Sequence, residues 1–217
     1  GGVLARYEGI FVIIIYCYSF VSNHYHLLVR APLGNLDEFE ENVNREIARR
    51  INRLYGRKAK FWHRRYDDSI VPTEEDLLEA FLYIVTNSTK HGLVKHPDEW
   101  SGLNCYQHFI SGKDLSFKFV HYSKRSKNGE LLETTHSLRL SPLPQHAQLP
   151  LESQRGMLVS HIKGRIKYIR EQRSGQGLGF LGIPGLLSQE PGSRPLEIVN
   201  SPRPICYTKS PIIRREY

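Results

Sequence analysis

The chain has 217 residues, with 30 Lys and Arg against 22 Asp and Glu, a formal net charge of +8 and a pI of about 9.4. That length can bury one sizeable core with an appendage, or two small ones, and the cationic excess favours an acidic partner, most simply nucleic acid. Cys17, Cys105 and Cys206 are far apart and form no CxxC pair, which argues against a disulfide framework or a zinc ribbon and fits a reducing, cytoplasmic setting.

Residues 1–8 (GGVLARYE) read as the end of a helix or a leading loop, with no room for a full element before a strand. The run Ile10 to Val21 (IFVIIIYCYSFV) is 12 residues, well short of the roughly 20 that cross a bilayer. It is rich in Ile, Val, Tyr and Phe, so it reads as a buried strand. No positively charged stretch or small-residue cleavage site flanks it, so it predicts neither a targeting segment nor a membrane partner.

Ser22-Asn23 predicts a tight turn into a second, antiparallel strand, His24–Arg30. Residues two apart on a strand share a face. His24 and His26 then project together, with Leu28 and Arg30, while Tyr25, Leu27 and Val29 are free to pack in a core. Two imidazoles on a rigid strand can hold a divalent ion if a third ligand arrives from elsewhere. The pattern alone is weak, since ten His in a chain of this length give roughly 0.5 His-X-His matches by chance. The plain alternative is a pair of surface histidines.

Pro32–Asn35 is a loop, and Asn35 is placed to cap a helix over Leu36–Tyr55. Leu36, Phe39, Val43, Ile47, Ile51 and Leu54 recur at three and four, the spacing of an amphipathic helix. Its start is acidic and its end basic, which suits the helix dipole. The basic end runs into Lys60-Phe61-Trp62-His63-Arg64-Arg65-Tyr66, where cations interleave with aromatics. Such a mixture suits phosphate contacts and base stacking as well as a solvated surface. Arg45, Arg49, Lys60, Trp62, Arg64 and Arg65, with Lys90 further on, are the candidate DNA-contacting residues.

Asp67–Val71 reads as a short edge strand. Thr73 caps the next helix, with Asp76 in the place of the usual Glu of a capping box. The helix is predicted from Glu74 to about Lys90, stopping at Gly92. Leu77, Leu78, Phe81, Ile84 and Val85 gather on one side, and Glu75, Glu79, Tyr83, Asn87 and Lys90 on the other. Tyr83 therefore lies in the polar stripe, with Asn87 one turn beyond it. On spacing alone it is equally a boundary tyrosine with a wet hydroxyl.

Asn23-His24-Tyr25-His26-Leu27-Leu28-Val29 resembles the His-hydrophobe-His (HUH) strand of the single-tyrosine transposases of small insertion sequences. Tyr83-Ile84-Val85-Thr86-Asn87, followed by Lys90-His91-Gly92-Leu93-Val94, resembles the nucleophile helix of the REP-associated tyrosine transposases. The likeness covers roughly residues 8–109 and includes the order of strand, long helix, aromatic-basic segment and tyrosine helix. It implies an α+β, ferredoxin-like fold with a central antiparallel sheet in residues 1–112, followed by a basic, Pro/Gly-rich extension over 113–217. It implies Mg²⁺ or Mn²⁺ held by His24, His26 and Asn87, with Tyr83 as nucleophile; Glu79, one turn before Tyr83, is a substitute ligand that the spacing itself offers. It further implies single-stranded or hairpin DNA as partner, and a homodimer is compatible with it.

Three features depart from the family pattern. The family's first strand and helix have no counterpart before Ile10; Ser88-Thr89 stands where Pro-Val is usual; and Asn87 is a neutral, weak ligand. A DNA-binding remnant that no longer cuts, or a metal hydrolase that does not need Tyr83, are the competing expectations.

Beyond Gly112, Asn128-Gly129 predicts a hairpin between Phe117–Tyr122 and Leu131–Leu140, and Pro142, Pro144 and Pro150 a linker. Leu151–Arg173 predicts a helix with a strongly basic surface. This C-terminal half resembles the extensions of some long REP-associated relatives, which implies extra contact with hairpin DNA. Gly175–Gly192 reads as a flexible loop rather than a phosphate loop, because no Gly-Lys-Ser/Thr follows it. Ser201–Pro204 and Lys209–Pro211 predict an extended basic tail.

Overall fold

The computed structural model describes residues 1–190 and 205–217, in which helices and antiparallel strands are mixed. The fold class is α+β. Helix α1 (Gly2–Phe11) occupies the stretch expected to hold only a helix end or loop. Its apolar residues Leu4 and Ala5 are buried, and it stops because Val12 turns left-handed (φ 55°). The apolar run is thus shared: its first residues finish the helix, and only β1 (Ile14–Phe20) is strand. Ile15, Tyr16, Cys17 and Tyr18 are all buried, so β1 is covered on both faces.

Strand β2 (Tyr25–Arg30) pairs with β1. The burial on β2 corrects the expected facing: Leu28, on the histidine side, is its buried residue, whereas Tyr25, Leu27 and Val29 are only half-buried. Helix α2 (Leu36–Leu54) buries Phe39 and Val43 as its periodicity predicts. Asn35 begins it without a side-chain cap; its amide donates instead to the Phe11 carbonyl at 3.0 Å. Residues 67–71 form no strand among the described residues beyond a single parallel bridge, Ile70 with Cys206.

Helix α3 (Glu74–Val85) starts with a reciprocal cap. The Asp76 amide donates to Thr73 Oγ1 at 3.1 Å, and the Thr73 hydroxyl donates to Asp76 Oδ2 at 2.8 Å. The expected continuous helix to Lys90 is broken at Thr86, and a short α4 (Asn87–Lys90) follows. Thr86 Oγ1 donates to the Leu82 carbonyl at 2.6 Å, a side chain competing with the backbone ladder. After α5 (Tyr106–Ser111), strands β3 (Leu115–Arg125) and β4 (Leu131–Leu138) form a second hairpin, turning where Asn128-Gly129 predicts and with Gly129 at φ 79°. Among the described residues the strands form two separate two-stranded sheets, β1-β2 and β3-β4, rather than one central sheet.

Helix α6 (Leu151–Gly175) matches the predicted span and buries Leu158, Ile162, Ile166 and Ile169. Two loop expectations are corrected. A short α7 (Gly182–Leu187) lies in the Gly-rich stretch, and Pro211 opens a helical turn, α8 (Pro211–Arg214), in the tail expected to be extended. Proline at the start of a helix loses no hydrogen bond. The predicted extended piece Ser201–Pro204 lies outside the described residues. No helix among the described residues is long and apolar enough to cross a membrane.

The chain forms two compact units, one from residues 1–16, 29–66 and 113–141, the other from 17–28, 67–112 and 142–217. In the first, α1 packs on α2 and on the β3–β4 hairpin around Leu4, Phe39, Val43 and Phe119. In the second, α3, α4 and α5 pack on α6 around Phe81, Val85, Phe109 and Ile162. His24, His26, Tyr83, Asn87 and Lys90 all belong to the second unit.

Candidate active site

The hairpin turn places the histidines. The Val21 amide donates to the His24 carbonyl at 3.0 Å, and the Phe20 and Tyr25 rings stack across the turn at 4.9 Å. His24 is thus the last residue of the turn and His26 the second of β2. His24 Nδ1 lies 2.7 Å from Asn23 Oδ1. A carbonyl oxygen only accepts, so the proton sits on Nδ1 and the Nε2 lone pair is left outward. That lone pair faces His26 Nε2 at 3.0 Å.

The sheet face that carries His26 meets the tyrosine helix. The rings of His26 and Tyr83 contact edge to face, with centroids 5.4 Å apart. Lys90 Nζ lies 4.2 Å from the centre of the Tyr83 ring. The Tyr83 hydroxyl lies 3.4 Å from His91 Nε2. Burial pushes the Tyr83 hydroxyl above its ordinary value, and the nearby Asn87 carboxamide, although outside hydrogen-bond geometry, works the other way. The hydroxyl is therefore protonated at neutral pH. Burial lowers all three imidazoles. His26 falls to about 4, with the neighbouring His24, His91 and Lys90 charges adding to the effect. His24 and His91 are shifted the same way.

Asn87 opens α4 and is 1% exposed. Both its amide atoms are buried without a hydrogen-bond partner, a condition that costs about 1–3 kcal/mol when nothing compensates it.

These residues fit a hard divalent ion in part. Two ligands at right angles on an ion bound at about 2.1 Å lie about 3.0 Å apart, and the two Nε2 atoms have that separation. The imidazoles are neutral at pH 7, so no proton must leave first. Among the described residues, no three His, Cys, Asp or Glu side chains converge to hold an ion by themselves. The two converging nitrogen donors are His24 and His26, and the buried Asn87 oxygen is without a hydrogen-bond partner. Glu79 is already engaged: Arg165 and Lys209 both pair with its carboxylate, the latter at 2.9 Å. Burial would raise its pKa, but those two cations hold it below the ordinary value.

Of the candidate DNA-contacting residues, only Lys90 joins Tyr83. Arg45, Arg49, Lys60, Trp62, Arg64 and Arg65 belong to the other unit. Arg45 pairs with Glu41 at 3.0 Å and Arg49 with Glu46 at 3.1 Å along the helix surface. Trp62 is half-buried and donates from its indole to the Asn44 carbonyl at 2.8 Å. Lys60, Arg64 and Arg65 are exposed.

His91 is the residue of this cluster to which the sequence reading gave no role. It stands eight positions after Tyr83, too far to be placed with it on an unbroken helix, and only the break at Thr86 returns it to the hydroxyl. No protein-family model, no curated protein and no solved structure matches the chain.

Proposed function

We propose that the chain is a metal-dependent DNA strand transferase that nicks and rejoins single-stranded or hairpin DNA through a tyrosine-linked intermediate. The observation that carries this reading is the meeting of His26 with Tyr83, 57 positions apart in sequence, at a ring separation of 5.4 Å. A nucleophile beside a paired imidazole site suits metal-assisted phosphoryl transfer by tyrosine.

His24, His26 and Asn87 would hold Mg²⁺ or Mn²⁺, which when bound neutralises charge on a phosphodiester. Tyr83 Oη attacks the phosphorus. The Oη–P bond forms and the P–O3′ bond breaks, leaving a 5′-phosphotyrosine and a free 3′-hydroxyl. A protonated phenol is a poor nucleophile, so its proton must leave during attack, and neutral His91 is the adjacent acceptor. The departing 3′ oxygen takes a proton from solvent. Lys90, over the ring, supplies positive charge to the phosphate. The covalent link retains the energy of the broken bond, so rejoining needs no further cofactor.

The finer fold reading is a ferredoxin-like domain in which β1, β2, α2 and α3 follow in the family's order; that order, with the histidine strand against the tyrosine helix, supports it. The test is nicking of a hairpin oligonucleotide with Mn²⁺. The wild type yields a cut strand with a free 3′-hydroxyl, and Tyr83→Phe yields none. Equal cutting by Tyr83→Phe would point instead to a metal hydrolase, and DNA binding with no cutting by either protein to a remnant that only binds.

A further inference from the structure

Helix α6 turns Leu158, Ile162, Ile166 and Ile169 into the core and leaves Lys163, Lys167 and Arg170 exposed along one face. With Lys95 and His96 opposite, these cations line a trough of about 710 Å³ that also takes in Phe180. The one carboxylate lining it, Glu171, stands 3.9 Å from Lys167 Nζ and is itself largely exposed, so it leaves the positive charge in excess. The far wall is tied to the residues that follow His91. The Leu181 amide donates to the Gly92 carbonyl at 2.8 Å, and the Gly182 amide to the Leu93 carbonyl at 2.9 Å. Arg173 holds Phe180 with its guanidinium 5.0 Å from the ring centre, and donates to the Lys90 carbonyl at 3.4 Å.

We propose that this trough binds a single-stranded nucleic-acid segment, with successive phosphates on Lys163, Lys167 and Arg170 and a base against Phe180. Those cations span about 10.5 Å of helix, about 5 Å per phosphate step, longer than the 3.4 Å rise of a stacked strand and so matched to an unstacked one. The concave shape does not suit a flat anionic membrane. An aromatic ring beside the cations suits a base, which an acidic peptide lacks. The inference rests on the proposed strand transfer only for which strand is held: the DNA flank continuing from Tyr83, because the trough is anchored on the backbone of 90–93.

The experiment uses the full chain and a labelled hairpin oligonucleotide with a single-stranded flank, bound at a series of salt concentrations. Replacing Lys163, Lys167 and Arg170 together by Gln lowers the slope of log affinity against log salt by about 2, and lowers affinity about tenfold or more near 0.1 M salt. These side chains are exposed, so the variant melts with the wild type. Phe180→Leu leaves that slope intact but removes the quenching of a 2-aminopurine placed in the flank. An unchanged slope and affinity in the triple variant would overturn the inference, as would equal competition by polyglutamate. If the wild type forms a Tyr83 adduct while the triple variant keeps its slope, the trough fails and strand transfer stands. If no adduct forms while the slope still falls, the trough stands without the transfer chemistry.

Discussion

The Nε2 atoms of His24 and His26 lie 3.0 Å apart, with the His24 proton drawn to the far side of its ring by Asn23. Two imidazole nitrogens at that distance can share an ion. Mn²⁺ is therefore expected to raise the melting temperature of the wild type, and His24→Ala or His26→Ala to weaken its apparent affinity at least about tenfold. The pH dependence has a definite sign. His26 titrates near 4 in the fold against an ordinary value of 6.5. As pH falls through that interval the unfolded chain takes up a proton before the folded one does, so this group's contribution to stability falls with pH. Ion binding should hold from neutral pH down to the upper part of that window and fade as pH nears 4. Melting curves with and without Mn²⁺ across this range check both statements.

Asn87 separates stability from function. Its amide is buried with both ends unpartnered, so Asn87→Leu, close in volume, is expected to leave the metal-free protein as stable or more stable by up to about 1 kcal/mol. The same variant should lose nicking. A loss of several kcal/mol in a denaturant titration would show that the amide has a structural partner instead.

Much of this organisation was legible in the chain. The Thr73–Asp76 cap, the three-and-four spacing of Phe39 and Val43, the Asn128-Gly129 turn and the span of α6 all follow local rules, and the structure keeps them. What was not legible depended on competition between local rules and packing. Ile10 and Phe11 look like strand, yet they close α1, because the helix ends on a left-handed Val12 with no glycine to announce it. Leu28 is buried on the histidine face because that face meets α3, which no period-two pattern reveals. His91 reaches Tyr83 only because Thr86 bonds back to Leu82; on a straight helix eight residues would carry it about 12 Å away.

The ion pairs at Glu79 give a third prediction. Arg165 is about as buried as Glu79, whereas the Lys209 side chain is 81% exposed. Arg165→Met should cost about 1–3 kcal/mol and Lys209→Met less than about 1 kcal/mol. Equal losses on chemical denaturation would contradict that ranking.

Glu8 has the opposite pH signature to His26. Burial raises it to about 7, with Arg139 pulling down and Asp114 pushing up. A carboxyl raised above its unfolded value favours the fold at low pH, and that contribution is lost as pH rises from about 4.5 through 7. Glu8→Gln should therefore stabilise the protein at pH 8 by on the order of 1 kcal/mol, after allowing for its partial exposure, and have little effect at pH 4. Melting temperatures at the two pH values provide the check.

The most direct test of the whole account is to locate the covalent bond. The full chain is incubated with hairpin DNA and Mn²⁺, the DNA is digested, and the peptide that retains a nucleotide is sequenced by mass spectrometry. The account predicts a 5′-phosphonucleotide on Tyr83, absent without the ion and absent in Tyr83→Phe. A nucleotide on another residue, or cut DNA with no modified peptide, would contradict it.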